Sequence, residues 1–203
     1  MKTQHLLTLA AGSALFLTAS PARAQSVLNG TFDANDEAFT AFPGYIGGAN
    51  PTIDSWSSVG QTGINGGASC CTPFAPAAPS EGPFAFIQGQ GSLSQTISGF
   101  TIGDSYTLTY LDAARFGDDG DTNTLTATIG TGSLQTTPVS AAWNSRTLPF
   151  TANATTLTLA FTTGTPPNDQ TLDIDSISIV PEPTSLALVG VGLAGFLGRR
   201  RRS

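Results

Sequence analysis

Few residue types in this 203-residue chain can do chemistry. Between Gln25 and Val180 there is no lysine, no histidine and no methionine, and only Arg115 and Arg146 are basic. The same span holds thirteen Asp and Glu residues, so its formal charge is two minus thirteen, or −11. Without histidine there is no Ser-His or Cys-His nucleophile and no His-based zinc site. Without lysine there is no Schiff base and no P-loop. Two chemistries remain: paired carboxylates acting as acid and base on a glycosidic bond, and carboxylates holding a hard divalent cation. Most of the acids sit in turn-like or Gly-rich surroundings, where solvation is the expectation. No motif marks a catalytic pair, so the chain reads as non-catalytic. A surface this negative repels nucleic acid and anionic lipid, and neither is expected as a partner.

The densest acidic stretch is Gly117-Asp-Asp-Gly-Asp-Thr-Asn123. An EF-hand starting at Asp119 would need Gly at 124 and Glu at 130, which are Thr124 and Gly130. A solvated hairpin loop is the expectation. Cys70 and Cys71 are adjacent and are the only cysteines. In an oxidising compartment they form a strained vicinal ring, pair with another chain, or stay reduced; the ring is the leading reading. Their loop, residues 66–79, is rich in Gly and Pro and reads as exposed. A sugar site needs aromatic platforms, and the candidates are Trp56, Trp143, Phe42 and Tyr45. Trp56 reads as core. Trp143, beside Asn144 and Arg146, is the better platform, with Trp143 and Arg146 as the candidate ligand-binding residues. Core packing stands as the other reading of Trp143.

The elements that must position these residues are strands. Tyr106, Leu108 and Tyr110 alternate with Thr107 and Thr109, Leu125, Ala127 and Ile129 with Thr124, Thr126 and Thr128, and Leu157, Leu159 and Phe161 with Thr156, Thr158 and Thr162. Period two with threonine on one side predicts antiparallel sheets with one wet face. Further strands are expected at 27–32, 53–58, 84–88, 93–97, 145–150 and 171–180. In the last of these, Leu172 and Ile174 share one face and Ile177 and Ile179 the other, which predicts a bulge or a strand covered on both faces. About nine short strands predict an all-β fold, an antiparallel β-sandwich of the jelly-roll kind.

The two ends read as addresses. Lys2 and His5 precede an apolar stretch from Leu6 to Ala19, and Ala22-Arg23-Ala24 is a small-x-small cleavage site, which makes residues 1–24 a signal peptide. At the other end stand Pro181-Glu182-Pro183, an uncharged run from Leu186 to Leu197, and Arg199, Arg200, Arg201 and Arg202. The prolines lack amide protons, so the segment is expected to stop a strand and form an exposed, extended joint. The apolar run is short against the roughly 20 residues of a full span, although flanking residues extend it. The arginines then act as a cytoplasmic stop. Together these parts resemble the PEP-CTERM sorting signal of Gram-negative bacteria that make exopolysaccharide. The resemblance implies a single transmembrane helix in residues 181–203 and transient anchoring in the inner membrane. It also implies recognition by an exosortase, cleavage near the motif, and release or passage to the cell surface.

The body, residues 25–180, resembles the galactose-binding-like jelly rolls of non-catalytic carbohydrate-binding modules. The likeness lies in Asn29-Gly-Thr-Phe-Asp33, in Ile53-Asp-Ser-Trp56 and in Ile174-Asp-Ser-Ile-Ser178. In that family the opening acid and the closing-strand Asp help hold a structural calcium ion, which implies Asp33 and Asp175 as metal ligands. Strand-end capping is the other reading of both. The expectation is an exported protein of the cell surface or extracellular matrix whose body binds a glycan, such as exopolysaccharide. The alternatives are a secreted carboxylate-dependent glycoside hydrolase and a ligand-free adhesin.

Overall fold

The structure, a computed structural model, describes residues 24–38, 53–65, 82–115, 122–164 and 170–182. All belong to one compact unit, Arg23–Pro183. The expected signal peptide through Arg23, the Cys70–Cys71 pair, Phe42, Tyr45, the acidic stretch through Asp121, and everything from Pro183 to the terminal arginines lie outside the described residues.

Among the described residues eight strands form: β1 (Ser57–Asn65), β2 (Phe84–Ser98), β3 (Ser105–Ala114), β4 (Leu125–Ile129), β5 (Gly132–Thr136), β6 (Asn144–Thr151), β7 (Thr156–Thr163) and β8 (Thr171–Pro181). A 3-10 turn covers Asp33–Ala38. The sheet order is β5-β4-β7-β2-β8-β3-β6, with β1 also on β2, and every pairing is antiparallel. The all-β expectation holds.

The sheet folds on itself because β2 changes neighbours. Its first half pairs with β8 (Ala85↔Ile174 to Gln88↔Thr171) and its second with β7 (Ser92↔Thr162 to Ser98↔Thr156). β1 follows the corner with a register shift between Gly60 and Gln61. Gly60 takes φ +81°, and a Cβ there would lie 2.4 Å from the Gln90 carbonyl oxygen. Only glycine allows that approach. The Thr163 hydroxyl ties the corner down, donating to Gly89 O (2.6 Å) and accepting from Gly91 N–H (2.9 Å).

The two wings bury one core between them. Leu93, Leu125, Ile129, Leu159 and Phe161 come from one wing, and Ile87, Leu108, Tyr110, Phe150 and Ile174 from the other. At their far edges the wings meet where Thr131 Oγ1 donates to Thr151 O (3.3 Å) and accepts from Thr151 N–H (3.0 Å). This is the layered arrangement of a β-sandwich.

Four local expectations are corrected. Residues 84–88 and 93–97 are one bent strand, not two. Residues 27–32 are not a strand: beyond the single Gln25–Ile179 bridge the chain turns, with Asn29 at φ 49° and Phe32 at φ 59°. Residues 53–56 are a turn, closed by Trp56 N–H on Ile53 O at 2.9 Å, and the strand begins at Ser57. Finally, β8 continues through Pro181, opposite Tyr106. Pro181 lies well past the stretch of β8 that β2 pairs, so its missing N–H breaks no bond to β2.

The irregularity expected in β8 is present in both forms. Ser176 has φ 53° and the register against β3 shifts at this point. Thr171 to Asp175 are buried on both faces, whereas Ile177 to Val180 alternate between buried and exposed.

Candidate functional site

The opening motif is a structural plug. Asn29 anchors it: its side-chain amide donates to Asn35 Oδ1 (2.8 Å) and Asp54 O (3.0 Å), and its Oδ1 accepts from Ala34 N–H (3.1 Å). The Trp56 indole N–H donates to Asn29 O at 3.1 Å. Gln95 clamps the same turn, accepting from Leu28 N–H and donating to Leu28 O and Ser55 O. These bonds drive Phe32 into the core, where its ring centroid lies 5.8 Å from that of Trp56, and Trp56 in turn meets Phe161 at 6.2 Å. Trp56 is core, as its residue type and place suggest.

The same turn reaches the closing strand. Gly30 O accepts from Ile177 N–H at 2.9 Å, and a Cβ on Gly30 would lie 2.4 Å from Ile177 O. The two segments carrying Asp33 and Asp175 are therefore joined. Their carboxylates differ. Asp33 is exposed and accepts from the Thr31 hydroxyl at 2.6 Å. Asp175 is fully buried and accepts from Ser176 N–H at 2.6 Å, which caps the bulge. Among the described residues no three of His, Cys, Asp and Glu group as metal ligands. The donors here, carboxylate and main-chain carbonyl oxygens, are of the type a hard cation takes.

Trp143 and Arg146 are near in sequence but serve opposite faces of their wing. Arg146 lies directly opposite Tyr110 in the β3–β6 register, on the core side. Its Nε donates to both Asp112 oxygens, at 2.9 and 2.8 Å. Asp112 is fully buried, Arg146 is 28% exposed at its side chain, and the Thr136 hydroxyl from β5 also donates to Asp112, at 2.8 Å. This cluster bridges β3, β6 and β5, so it latches one wing to the other. Burial and the neighbouring Asp112 carboxylate push the Tyr110 hydroxyl up to about 12, partly offset by Arg146.

Trp143 turns the other way. It is half-buried, and its ring meets Phe84 edge-on at 5.2 Å and 82°. Phe84, Phe86 and Ala113 are buried yet stand apart from the interlayer core, on the face of β2, β8 and β3 that also carries Asp173 and Asp175. Of this group only Trp143 is part-exposed, and it is the candidate ligand-facing residue, with the buried Phe84 packed against its ring. Sequence reasoning missed Phe84 and Asp112, because both acquire their roles from register rather than from any local motif.

The end of β8 is held against β3 beyond its last paired residue. Glu182 N–H donates to Ser105 O at 2.9 Å, and its carboxylate accepts from the Thr107 hydroxyl. The first two residues of the Pro-Glu-Pro motif are thus docked on β3. No helix among the described residues is long and apolar enough to cross a membrane.

A search of curated proteins finds no match to this chain. Among solved structures it is similar to TmCBM61, a carbohydrate-binding module solved in complex with β-1,4-galactotriose, at 12% identity and a TM-score of 0.53, over 78% of this chain and 99% of that one. It is also similar to part of the enzymatically active domain of bacteriophage CBA120 tailspike protein 4, at 14% identity and a TM-score of 0.53, over 78% of this chain and 21% of that one. A third likeness is to part of the arabinose-bound α-L-arabinofuranosidase MgGH51, at 14% identity and a TM-score of 0.50, over 79% and 27% of the two chains. At such identities the likeness concerns the fold, and it is to jelly-roll β-sandwiches that include carbohydrate-binding modules. Residues 180–202 match the PEP-CTERM protein-sorting motif, so this β-sandwich carries a C-terminal sorting signal.

Proposed function

We propose that the chain is an exported protein of a Gram-negative cell envelope or extracellular matrix. It is held briefly in the inner membrane by its tail, cut there by an exosortase, and delivers a non-catalytic glycan-binding body. The carrying observation is the sorting motif at 180–202 on the end of a jelly-roll sandwich. The glycan part is supported by the fold shared with TmCBM61 and by Trp143, a half-buried indole braced edge-on by Phe84. A ring braced in advance loses little entropy when it packs on a sugar. The buried Asp112 and Asp175 carboxylates serve the fold, one holding Arg146 and the other capping Ser176, which favours a binding over a hydrolytic reading. Arg146 supports the latch and leaves Trp143 as the contact residue.

A polysaccharide array tests this. The body is expected to retain at least one neutral glycan, and Trp143→Ala to weaken that signal by about tenfold, the scale of one aromatic contact. An unchanged signal removes Trp143 from the site. A calcium ion between the opening turn and the closing strand belongs to the same reading, with Asp33 and Asp175 as side-chain ligands and main-chain carbonyls completing the shell. EDTA is then expected to lower the melting temperature of the body, and an unmoved transition rejects the ion.

A further inference from the structure

We infer that the sorting cut leaves Pro181 and Glu182 on the folded body, so that the bond broken lies C-terminal to Glu182. This rests on the processing reading above. The observation is how β8 ends. Val180 pairs with Thr107 and Pro181 with Tyr106, and Ile179, 1% exposed, is bridged from its other side by Gln25. One residue further, Glu182 is still held at two points, by its N–H on Ser105 O and by its carboxylate under the Thr107 hydroxyl.

Cleavage concentrates where backbone hydrogen bonds and burial do not tie the chain down. Up to the amide of Glu182 the backbone is tied down by pairing with β3, and at Ile179 by burial as well. A cut at the Pro181–Glu182 bond or before it would require β8 to peel from β3, uncovering Ile179 and Tyr106. The motif therefore divides. Pro181 is the last residue of β8, Glu182 is docked on β3 just beyond it, and the bond the enzyme breaks follows them. In the step itself, the carbonyl carbon of Glu182 or of a later residue loses its bond to the next nitrogen. It gains one to the enzyme's nucleophile, and then to water or an amine acceptor. The leaving nitrogen takes up the proton that the nucleophile gives up, and no electrons are exchanged with a redox partner.

The test is mass spectrometry of the C-terminal peptide from the full chain, expressed in a producer that has the sorting enzyme. The expected terminus is Glu182 or a later residue short of Ser203. A terminus at Pro181 or upstream overturns this inference while leaving processing intact. Recovery of chains still ending at Ser203 sinks the processing reading itself, and this inference with it. Thr107→Val supplies a second readout, since it removes one hydroxyl that holds Glu182 and leaves the tail unaltered. Its processing rate is expected to match the parent. If opening of β8 had to precede the cut, loss of one hydrogen bond would speed it by about fivefold, and that rise would overturn the inference.

Discussion

Asp112 shows how a single residue can be central and yet invisible in the sequence. It follows the apolar run Tyr106, Leu108, Tyr110 on the same face, so it enters the core as the next inward position of β3. A bare carboxylate buried there would be very costly, and removing one partner of such a pair typically costs more than the pair itself contributes. Arg146 and the Thr136 hydroxyl compensate it. Tyr110 reports on this environment. Its hydroxyl titrates near its ordinary value of 10 in the unfolded chain but is pushed up to about 12 in the folded one, so the folded state binds the proton more tightly. Below pH 10 both states are protonated and the contribution is complete. As pH rises from 10 to 12 the unfolded state ionises first and stability falls. Urea unfolding is expected to show a loss of about 2 kcal/mol between about pH 9 and pH 11.5 from this group. Tyr110→Phe is expected to flatten that slope, whereas an equal slope in the variant would place its origin elsewhere.

At the scale of elements, the corner of the β1–β2 ribbon decides the architecture. Gly60 combines φ +81° with a carbonyl oxygen 2.4 Å from where a Cβ would stand, whereas Gly103 has φ +89° and nothing within 4 Å. Gly60→Ala is expected to cost about 2 kcal/mol or more, because strain and clash add, and Gly103→Ala about 1 kcal/mol from strain alone. Equal losses in chemical denaturation would show that the corner tolerates a side chain. The sequence announced β3, β4 and β7 through clean alternation, because those strands have one wet threonine face and one dry one. It did not announce β5, Gly132-Ser-Leu-Gln-Thr136, whose one apolar side chain, Leu134, is half-buried at an edge. It misled at 27–32, where Val27 and Phe32 look like strand residues. There a left-handed turn, not alternation, carries Phe32 inward. Trp143 and Arg146, read together as one platform, were divided by the two-residue period of the strand they introduce.

On the scale of the whole molecule, charge limits what the body can bind. Residues 25–180 carry −11, and one of their two arginines, Arg146, is engaged with Asp112. The wet face of β4, β7 and the second half of β2 is uncharged, carrying Thr126, Thr128, Thr158, Thr162, Ser92 and Ser94. Hydroxyls there can exchange hydrogen bonds with a neutral sugar, but they offer no cation to an anionic one. The surrounding field acts over about 30 Å at 0.01 M salt and about 8 Å at 0.15 M. An acidic polysaccharide should therefore be rejected at low ionic strength, with partial recovery as salt is added. Binding to a neutral glycan at Trp143 rests on stacking and should stay flat over the same range. The body should also melt at a higher temperature in 0.15 M salt than in 0.01 M, because self-repulsion is screened while the buried Asp112–Arg146 contact is not. Titrating a neutral and an acidic polysaccharide at both ionic strengths separates these terms. Tight, salt-weakened binding of the acidic chain would mean that a cation, not the aromatic surface, governs recognition.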